Sequence, residues 1–239
     1  MNAQRTITGI SGIDELIEGG FPPNSMIILT GPAGAGKSTF ASQFLYNCAV
    51  KYKKRGVYVC FTETKECFLC NMSGFGWDFE QLENRGKIST LSLSVSKEAG
   101  VQTNINKIID CIMALKADVV VADPFSSMIM PLNNNIDVQV MINLLYKFIK
   151  KRKCLCILIV DKPQGNFHSF SSGEEIIKFT ADGIIDLNMY VDDNGELQRR
   201  ITIIKMRGTN HSKLSHPYII DKNGFRVLHT KKEAKLVST

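Results

Sequence analysis

The chain lacks any apolar run long enough to cross a membrane. No stretch of its 239 residues approaches the roughly 20 consecutive apolar residues of a spanning helix. The N-terminus likewise has no apolar segment of the kind found in secretory signal peptides. The apolar fraction of 44% and the charged fraction of 22% are ordinary for a globular protein. We therefore expect a cytoplasmic protein without membrane contact.

The sequence also lacks the even cysteine framework of a disulfide-stabilised secreted domain. Its seven cysteines are an odd number, scattered in and near apolar runs. Cys67 with Cys70 and Cys154 with Cys156 are closely spaced pairs, and four thiolates together could bind zinc. Because the second pair lies in a strongly apolar run, we expect buried, reduced thiols instead.

Strong charge of either sign is missing as well. The net charge is +6, and much of the excess lies in the basic clusters 51–55, 150–153 and 231–232. The first two clusters fall where helices should end, and cations there complement the helix dipole. This explanation is favoured over a nucleic-acid surface, which the composition allows but supports weakly.

What the chain does contain is a glycine-rich phosphate-binding pattern. Residues 26–39 read MIILTGPAGAGKST, a short apolar run followed by a loop and the start of an apparent helix. Positions 31–38 fit G-x-x-x-x-G-K-[ST], the P-loop, in the strand–loop–helix context that the motif requires. A glycine-rich turn used for packing alone is the alternative. The complete pattern favours a nucleoside triphosphate site.

The chemistry of this site follows from the residue spacing. Glycines let successive backbone N–H groups point at phosphate oxygens above a helix N-terminus. Lys37 can reach the β- and γ-phosphates and stabilise their charge, and the Ser38 hydroxyl is placed to bind Mg²⁺. The predicted cofactor-binding residues are Gly31, Pro32, Ala33, Gly34, Ala35, Gly36, Lys37, Ser38 and Thr39.

The pattern of elements predicts an α/β fold with a central, mostly parallel sheet flanked by helices. After the P-loop strand, helices and strands alternate. The predicted helices are 37–52, 66–73, 102–116 and 136–150, and the predicted strands are 57–61, 88–93, 119–122 and 154–160. Beyond Gly183 only strands are predicted, at 184–189, 197–206, 218–220 and 225–228, with hairpin turns at 192–195 and 221–224. We expect one domain over 1–239, with an ordered core of about 6–228 and a frayed tail at 229–239.

Two carboxylates follow predicted strands. Asp123 ends the strand 119–122, which we expect to lie beside the P-loop strand, and there it would hold Mg²⁺ as the Walker B carboxylate. Glu63 follows the strand 57–61, where a carboxylate could orient or deprotonate the attacking water. A solvated acid in a polar loop is an equal alternative for Glu63.

Two cations lie two residues apart near the end of the strand 197–206. Lys205 and Arg207 should share one face, where they repel each other unless an anion lies between them. They could be an exposed edge pair. The other interpretation is that they bind a phosphate, within the chain or on a neighbouring subunit in the manner of arginine fingers.

The motifs together resemble a known family. Residues 8–39, TGISGIDELIEGGFPPNSMIILTGPAGAGKST, are similar to the start of a KaiC domain, a branch of the RecA-like P-loop ATPases. The similarity continues through 57–63, 75–78, the strand before Asp123, 181–184 and 205–211. It covers about residues 6–228, as in a single-domain member of the family.

This resemblance implies a RecA-like fold, with Mg²⁺ and ATP bound between subunits of a homo-oligomeric ring, typically a hexamer. Lys205 and Arg207 would then act in trans on the γ-phosphate. The family has two consecutive glutamates after the second strand, but this chain has Thr62 and then Glu63. Pro124 also stands where the family often has serine. We therefore expect slow turnover, or turnover that needs an activator.

Four functions remain open at this stage. We favour a slow ring ATPase that acts as a nucleotide-state switch with an unidentified protein partner. The alternatives are a nucleotide-gated binding module with negligible hydrolysis, a RecA-like DNA-binding ATPase and an autokinase. The segment 162–173, where a RecA fold carries DNA loops, has Phe167 and Phe170 but only Lys162 as a cation. Ser169, Ser171 and Ser172 lie near the segment that clock KaiC phosphorylates, but a circadian role does not follow from a fold.

Overall fold

A computed structural model describes residues 4–94, 98–132, 135–162 and 172–228 of the chain. Its strands form one nine-stranded sheet. Their bounds are β1 Met26–Gly31, β2 Gly56–Cys60, β3 Ile88–Ser92, β4 Val119–Asp123, β5 Leu155–Asp161, β6 Gly183–Val191, β7 Leu197–Met206, β8 Ser215–Asp221 and β9 Gly224–Val227.

The spatial order of the strands is β3-β2-β4-β5-β1-β6-β7-β8-β9. The pairs from β3 through to β6 are all parallel, whereas β6–β7, β7–β8 and β8–β9 are antiparallel. The predicted parallel sheet with antiparallel C-terminal strands is therefore confirmed. Both predicted hairpin turns are present, since they join β6 to β7 and β8 to β9.

One expectation about strand order is wrong. β4, which ends in Asp123, does not lie beside the P-loop strand, because β5 is inserted between β4 and β1. The β5 strand is a run of six buried residues before its last position, and burial on both faces suits it to the sheet centre. The last residue of β5, Asp161, therefore lies opposite Gly31 at the start of the P-loop.

Helices cover both faces of the sheet. They are α1 Ile13–Leu16, α2 Lys37–Val50, α3 Lys65–Ser73, α4 Phe79–Asn84, α5 Glu98–Leu115, α6 Phe125–Ile129, α7 Asn135–Arg152 and α8 Ser172–Thr180. The first four contribute to one apolar core and the last four to another. Alternate residues of β1 point to each side, with Ile27 and Leu29 in the first core and Met26 and Ile28 in the second.

The two cysteine pairs lie on opposite sides of this sheet. Cys154 and Cys156 are buried in the second core, whereas α3 packs against the first core and leaves Cys67 and Cys70 exposed. Burial raises the pKa of the Cys154 thiol to about 12. The two pairs cannot share one zinc ion across the sheet. Within the described ranges, His, Cys, Asp and Glu form no cluster of three or more that could hold a metal.

Several sequence expectations fall outside the described ranges. They include the serines at 169 and 171, most of the segment 162–173 and the tail 229–239. The side chain at position 172 is likewise outside the description. Of the helices that are described, none has the length and apolarity to cross a membrane.

Candidate nucleotide-binding site

The P-loop joins β1 to α2 and is shaped by glycine. Gly34 and Gly36 have φ values of 81° and 82°, a left-handed conformation that glycine adopts without strain. Gly36 is the N-cap of α2, so the loop leads directly into the positive end of that helix. Gly31 lies against the carbonyl of Leu187 on β6, leaving no room for a Cβ atom.

The C-terminal hairpin supports the loop from behind. The Tyr218 hydroxyl on β8 donates to the carbonyl of Ala35 at 2.6 Å, and the Ile220 side chain packs against Gly36. Farther along α2, the Gln43 amide exchanges two hydrogen bonds with the backbone of Phe225 on β9. The phosphate-binding loop is thus held in place by residues almost two hundred positions away.

Lys37 is a buried cation at the start of α2. Its residue exposure is only 7%, and its ammonium donates to the carbonyls of Gly31 and Pro32, each at 2.9 Å. It also lies 3.1 Å from a carboxylate oxygen of Asp161. Asp161 is a site residue that the sequence analysis did not predict, because its role depends on β5 lying next to β1. The feature that could have indicated Asp161 is its position at the end of a buried strand, which is the feature that indicated Asp123.

Asp123 is largely buried at the end of β4. It accepts a hydrogen bond of 2.5 Å from the Tyr58 hydroxyl on β2. Burial raises the pKa of the Asp123 carboxyl, and nearby Asp161 raises it further, while hydrogen bonds from Ser38 and Tyr58 and the charge of Lys37 lower it. The Ser38 hydroxyl and the Asp123 carboxylate therefore adjoin each other.

Glu63 lies between β2 and α3 and is half-buried. Its carboxylate accepts a hydrogen bond of 3.2 Å from the Asn71 amide. Burial raises the pKa of Glu63, Asp123 raises it further, and the hydrogen bond from Asn71 lowers it. Thr62, on one side of Glu63, is exposed, and Thr64, on the other side, caps α3 by accepting from the backbone N–H of Cys67.

A cleft of about 470 Å³ opens in front of the loop. Its lining includes most of the predicted phosphate and metal residues, together with Thr62 and Asp161: Ala33, Gly34, Gly36, Lys37, Ser38, Thr39, Thr62, Asp123, Pro124, Asp161 and Ile220. Glu63, Lys205 and Arg207 do not line it. The structure thus brings the P-loop and Asp123 together and places the two cations elsewhere.

Lys205 and Arg207 lie at the opposite end of the sheet. Gly183 pairs with both Ile27 near the start of β1 and Met206 at the end of β7. The P-loop begins four residues beyond Ile27, which is about 13 Å along the strand. Neither cation can therefore reach the cleft of its own chain.

Both cations contact the C-terminal end of α8. The Lys205 ammonium donates to the carbonyls of Lys178 and Phe179, each at 3.2 Å. The Arg207 guanidinium donates to the carbonyls of Phe179 and Thr180 at 3.1 and 3.4 Å. Cations at this position satisfy carbonyls that the helix leaves unpaired. The shared face predicted for the pair is confirmed, although Arg207 lies just after β7.

A β-bulge near the end of β7 sets the direction of Lys205. The pairing of β6 with β7 shifts register there, and Ile204 is the unpaired extra residue. Ile203 and Met206 both face the first core although they are three positions apart, which strict alternation does not allow. The bulge therefore turns Lys205 to the other face, where α8 ends. No residue pattern in this stretch predicts the bulge.

The donor set in the cleft fits Mg²⁺. A carboxylate and a hydroxyl oxygen adjoin each other at Asp123 and Ser38. Mg²⁺ prefers oxygen ligands and is commonly held by one or two protein groups together with waters and substrate phosphates. The neighbouring glycine loop offers backbone N–H groups for those phosphates. The residues present are therefore suited to a Mg²⁺–nucleotide complex.

Comparison with known proteins supports the family resemblance found in the sequence motifs. A family model described as "ATPase: KaiC" matches residues 6–232. The circadian clock oscillator protein KaiC of Parathermosynechococcus lividus is 30% identical over 92% of this chain, which spans only 41% of that protein. The UPF0273 protein PH0284 of Pyrococcus horikoshii is 30% identical, with 94% of each chain covered.

A solved structure agrees with the architecture. The KaiC-like protein PH0186 from Pyrococcus horikoshii OT3 matches with a TM-score of 0.83 and 34% identity, over 95% of this chain and 99% of that one. The resemblance inferred from the sequence motifs is thereby confirmed, and so is the predicted fold. The chain belongs to the KaiC family of RecA-like, ATP-binding ATPases.

Proposed function

We propose that the protein is a slow, Mg²⁺-dependent ring ATPase whose sites are shared between neighbouring subunits. The observation that carries this proposal is the position of Lys205 and Arg207. They lie at the end of the sheet away from their own P-loop, so a nucleotide that they contact must belong to another subunit. A homo-oligomeric ring, hexameric as the family resemblance suggests, brings one subunit's cations to the next subunit's cleft.

In this proposal the P-loop binds the phosphates of ATP. Backbone N–H groups of the loop and the N-terminus of α2 face the cleft and favour anions. Lys37 would leave the carbonyls of Gly31 and Pro32 and donate to the β- and γ-phosphates instead. This exchange replaces neutral acceptors with charged ones, which make stronger hydrogen bonds. ATP is favoured over GTP because it is the family expectation.

Ser38 and Asp123 would hold Mg²⁺. The bound ion would neutralise charge on the β- and γ-phosphate oxygens. Tyr58 fixes the Asp123 carboxylate by donating to one of its oxygens, which leaves the other oxygen for the ion. The raised pKa of Asp123 means that ionisation of this carboxyl, and hence Mg²⁺ binding, is favoured as the pH rises.

Slow hydrolysis would follow because the chain has only the second of the family's two consecutive glutamates after β2, at Glu63. Glu63 would orient or deprotonate the attacking water, while the Thr62 hydroxyl cannot act as a base near neutral pH. Lys205 and Arg207 of the neighbouring subunit would stabilise charge on the γ-phosphate. Residues 1–239 would work as one ATPase domain. Its nucleotide state would control a conformation or a protein partner.

The test combines oligomeric state with turnover on the same samples. Wild type and Lys205→Ala/Arg207→Ala are measured by light scattering after size exclusion, with and without Mg·ATP, and by phosphate release. The proposal predicts a nucleotide-dependent ring whose turnover falls by about 10³-fold in the double variant, a typical effect of losing an arginine finger. A monomer whose turnover is unaffected by the substitutions would refute the shared site.

A second candidate is a nucleotide-gated binding module with negligible hydrolysis. One observation favours it: Thr62, not an acid, lines the cleft, and Glu63 is held outside the lining by Asn71. This candidate predicts a ring that binds ATP but releases no phosphate above background. It also predicts that Thr62→Glu raises turnover sharply, with Thr64→Glu as the control outside the cleft.

A further inference from the structure

Asp182 connects the P-loop strand to Arg207. Its backbone N–H donates to the carbonyl of Met26 at 2.8 Å, and its carboxylate accepts from the N–H of Met26 at 2.9 Å. On its other side the Asp182 carbonyl accepts from the N–H of Arg207 at 2.8 Å. One residue thus bridges the first residue of β1 and the cation proposed to act on the neighbouring subunit.

The Asp182 side chain is also a shared counter-charge. It is buried, with a residue exposure of 6%, and it lies 2.8 Å from the Lys150 ammonium and 3.5 Å from the Arg207 guanidinium. The Tyr146 hydroxyl donates to it at 3.0 Å. Burial and the charge of Arg207 lower the pKa of Lys205, and the negative charge of Asp182 partly opposes them. A single buried carboxylate therefore forms ion pairs with two cations and acts electrostatically on a third.

We infer that Asp182 is a positioning residue that holds Arg207 in the geometry required at the neighbouring subunit's nucleotide. The inference rests on the proposed function, because it concerns the residue assigned there to the shared site. Arg207 is half-exposed and carries its charge beside Lys205, so mutual repulsion would drive the two side chains apart. Helix carbonyls offer partial charges only, whereas Asp182 offers a full charge and a backbone hydrogen bond.

Asp182 would do more than stabilise the fold, because it also connects Arg207 to the strand that leads into the P-loop. Met26 begins β1 and the P-loop follows the end of that strand, while Asp182 fixes Arg207 to the start of β1. The cation offered to the next subunit and the loop that binds the subunit's own ATP are therefore parts of one framework. Loss of the Asp182 charge should misplace the cation and leave the distant loop intact.

The test compares Asp182→Asn with the matched control Asp118→Asn. Asp118 also lies at the start of a parallel strand and accepts a backbone N–H, that of Arg55, at 2.8 Å. Asparagine keeps an acceptor oxygen in both variants but removes the charge. We expect Asp182→Asn to lower kcat by about 10- to 100-fold, the size of a lost charged hydrogen bond, with ATP affinity within twofold of wild type. Asp118→Asn should leave both unchanged.

A double-mutant cycle with Arg207→Ala separates positioning from a merely structural role. If Asp182 acts through Arg207, Asp182→Asn/Arg207→Ala will turn over ATP no more slowly than Arg207→Ala alone. Additive losses, or a kcat of Asp182→Asn equal to that of Asp118→Asn, would overturn the inference while leaving the shared site standing. If Arg207→Ala itself has wild-type turnover, the proposed function fails and the inference fails with it.

Discussion

Tyr218→Phe removes a single oxygen atom from the support of the P-loop. The Tyr218 ring is buried and stacks on Phe225 with centroids 4.3 Å apart, and the substitution preserves that contact. Only the hydrogen bond to the carbonyl of Ala35, 2.6 Å long, is lost. Because Ala35 is fully buried, phenylalanine leaves that carbonyl without its donor.

The expected loss can be bounded from this geometry. Leaving a buried acceptor without a partner costs about 1–3 kcal/mol of the free energy of unfolding. If about 1.4 kcal/mol of that holds the loop in its binding conformation, ATP affinity falls about tenfold. Urea unfolding without nucleotide gives the first quantity, and calorimetric titration with Mg·ATP gives the second. The urea m-value should stay unchanged, since the substitution leaves the buried area nearly the same.

Tyr190→Phe is the matched control. Tyr190 lies on β6 and is 42% exposed, so water can replace any partner that its hydroxyl loses. The free energy of unfolding of Tyr190→Phe and its free energy of ATP binding should both stay within about 0.5 kcal/mol of wild type. If Tyr218→Phe falls within the same limit, or if both variants lose equally, the reasoning that the C-terminal hairpin supports the P-loop is wrong.

Three further predictions concern Gly31 and the carboxylates of Asp123 and Glu63. Gly31→Ala forces a Cβ atom against backbone and should cost about 3 kcal/mol or more in urea unfolding, whereas Gly195→Ala, with positive φ but open space around it, should cost about 1 kcal/mol. Equal losses would contradict the close packing. Asp123→Asn should abolish Mg²⁺-dependent turnover yet raise the free energy of unfolding at pH 7 by about 0.5–2 kcal/mol. Because the pKa of Asp123 is raised in the folded state, that state binds the proton more tightly, and wild type loses stability as the pH rises through that pKa. The stability advantage of Asp123→Asn over wild type should therefore vanish in acid. An advantage that persists in acid would show that the raised pKa is not its cause. Asn71→Ala removes a hydrogen bond that lowers the pKa of Glu63, so the acid limb of the kcat–pH profile should move to higher pH; an unmoved limb would exclude Glu63 as the base.

Local patterns in the sequence were sufficient for much of this protein. The P-loop spacing located the loop, because glycine, lysine and serine act there through their position along the chain. Alternating apolar runs located every strand of the sheet to within a few residues, although β6 extends to Val191 and β8 begins at Ser215. Helices of only five or six residues, such as α6 and α4, are too short to show the periodicity on which a prediction depends.

Features that depend on spatial order were not available from local patterns. The insertion of β5 between β1 and β4 is a property of the sheet, and without it Asp161 cannot be connected to Lys37. The bulge at Ile204 could not be predicted either, because isoleucine is common at any position of a strand. The sequence analysis included Asp182 only within the family-like stretch 181–184, and its contacts with Met26 and Arg207 are what give it a role.

The support that Tyr218 and Phe225 give to the P-loop region has a consequence for synthesis of the protein on the ribosome. The loop is made early, but its hydrogen-bond partners on β8 and β9 are about 180 residues later in the chain. At about 5–20 residues per second, this separation corresponds to a delay of roughly 10–40 s. During that interval a nascent chain carries the whole P-loop motif without the hairpin that supports it. Capacity for tight ATP binding should therefore appear only after the hairpin has left the exit tunnel.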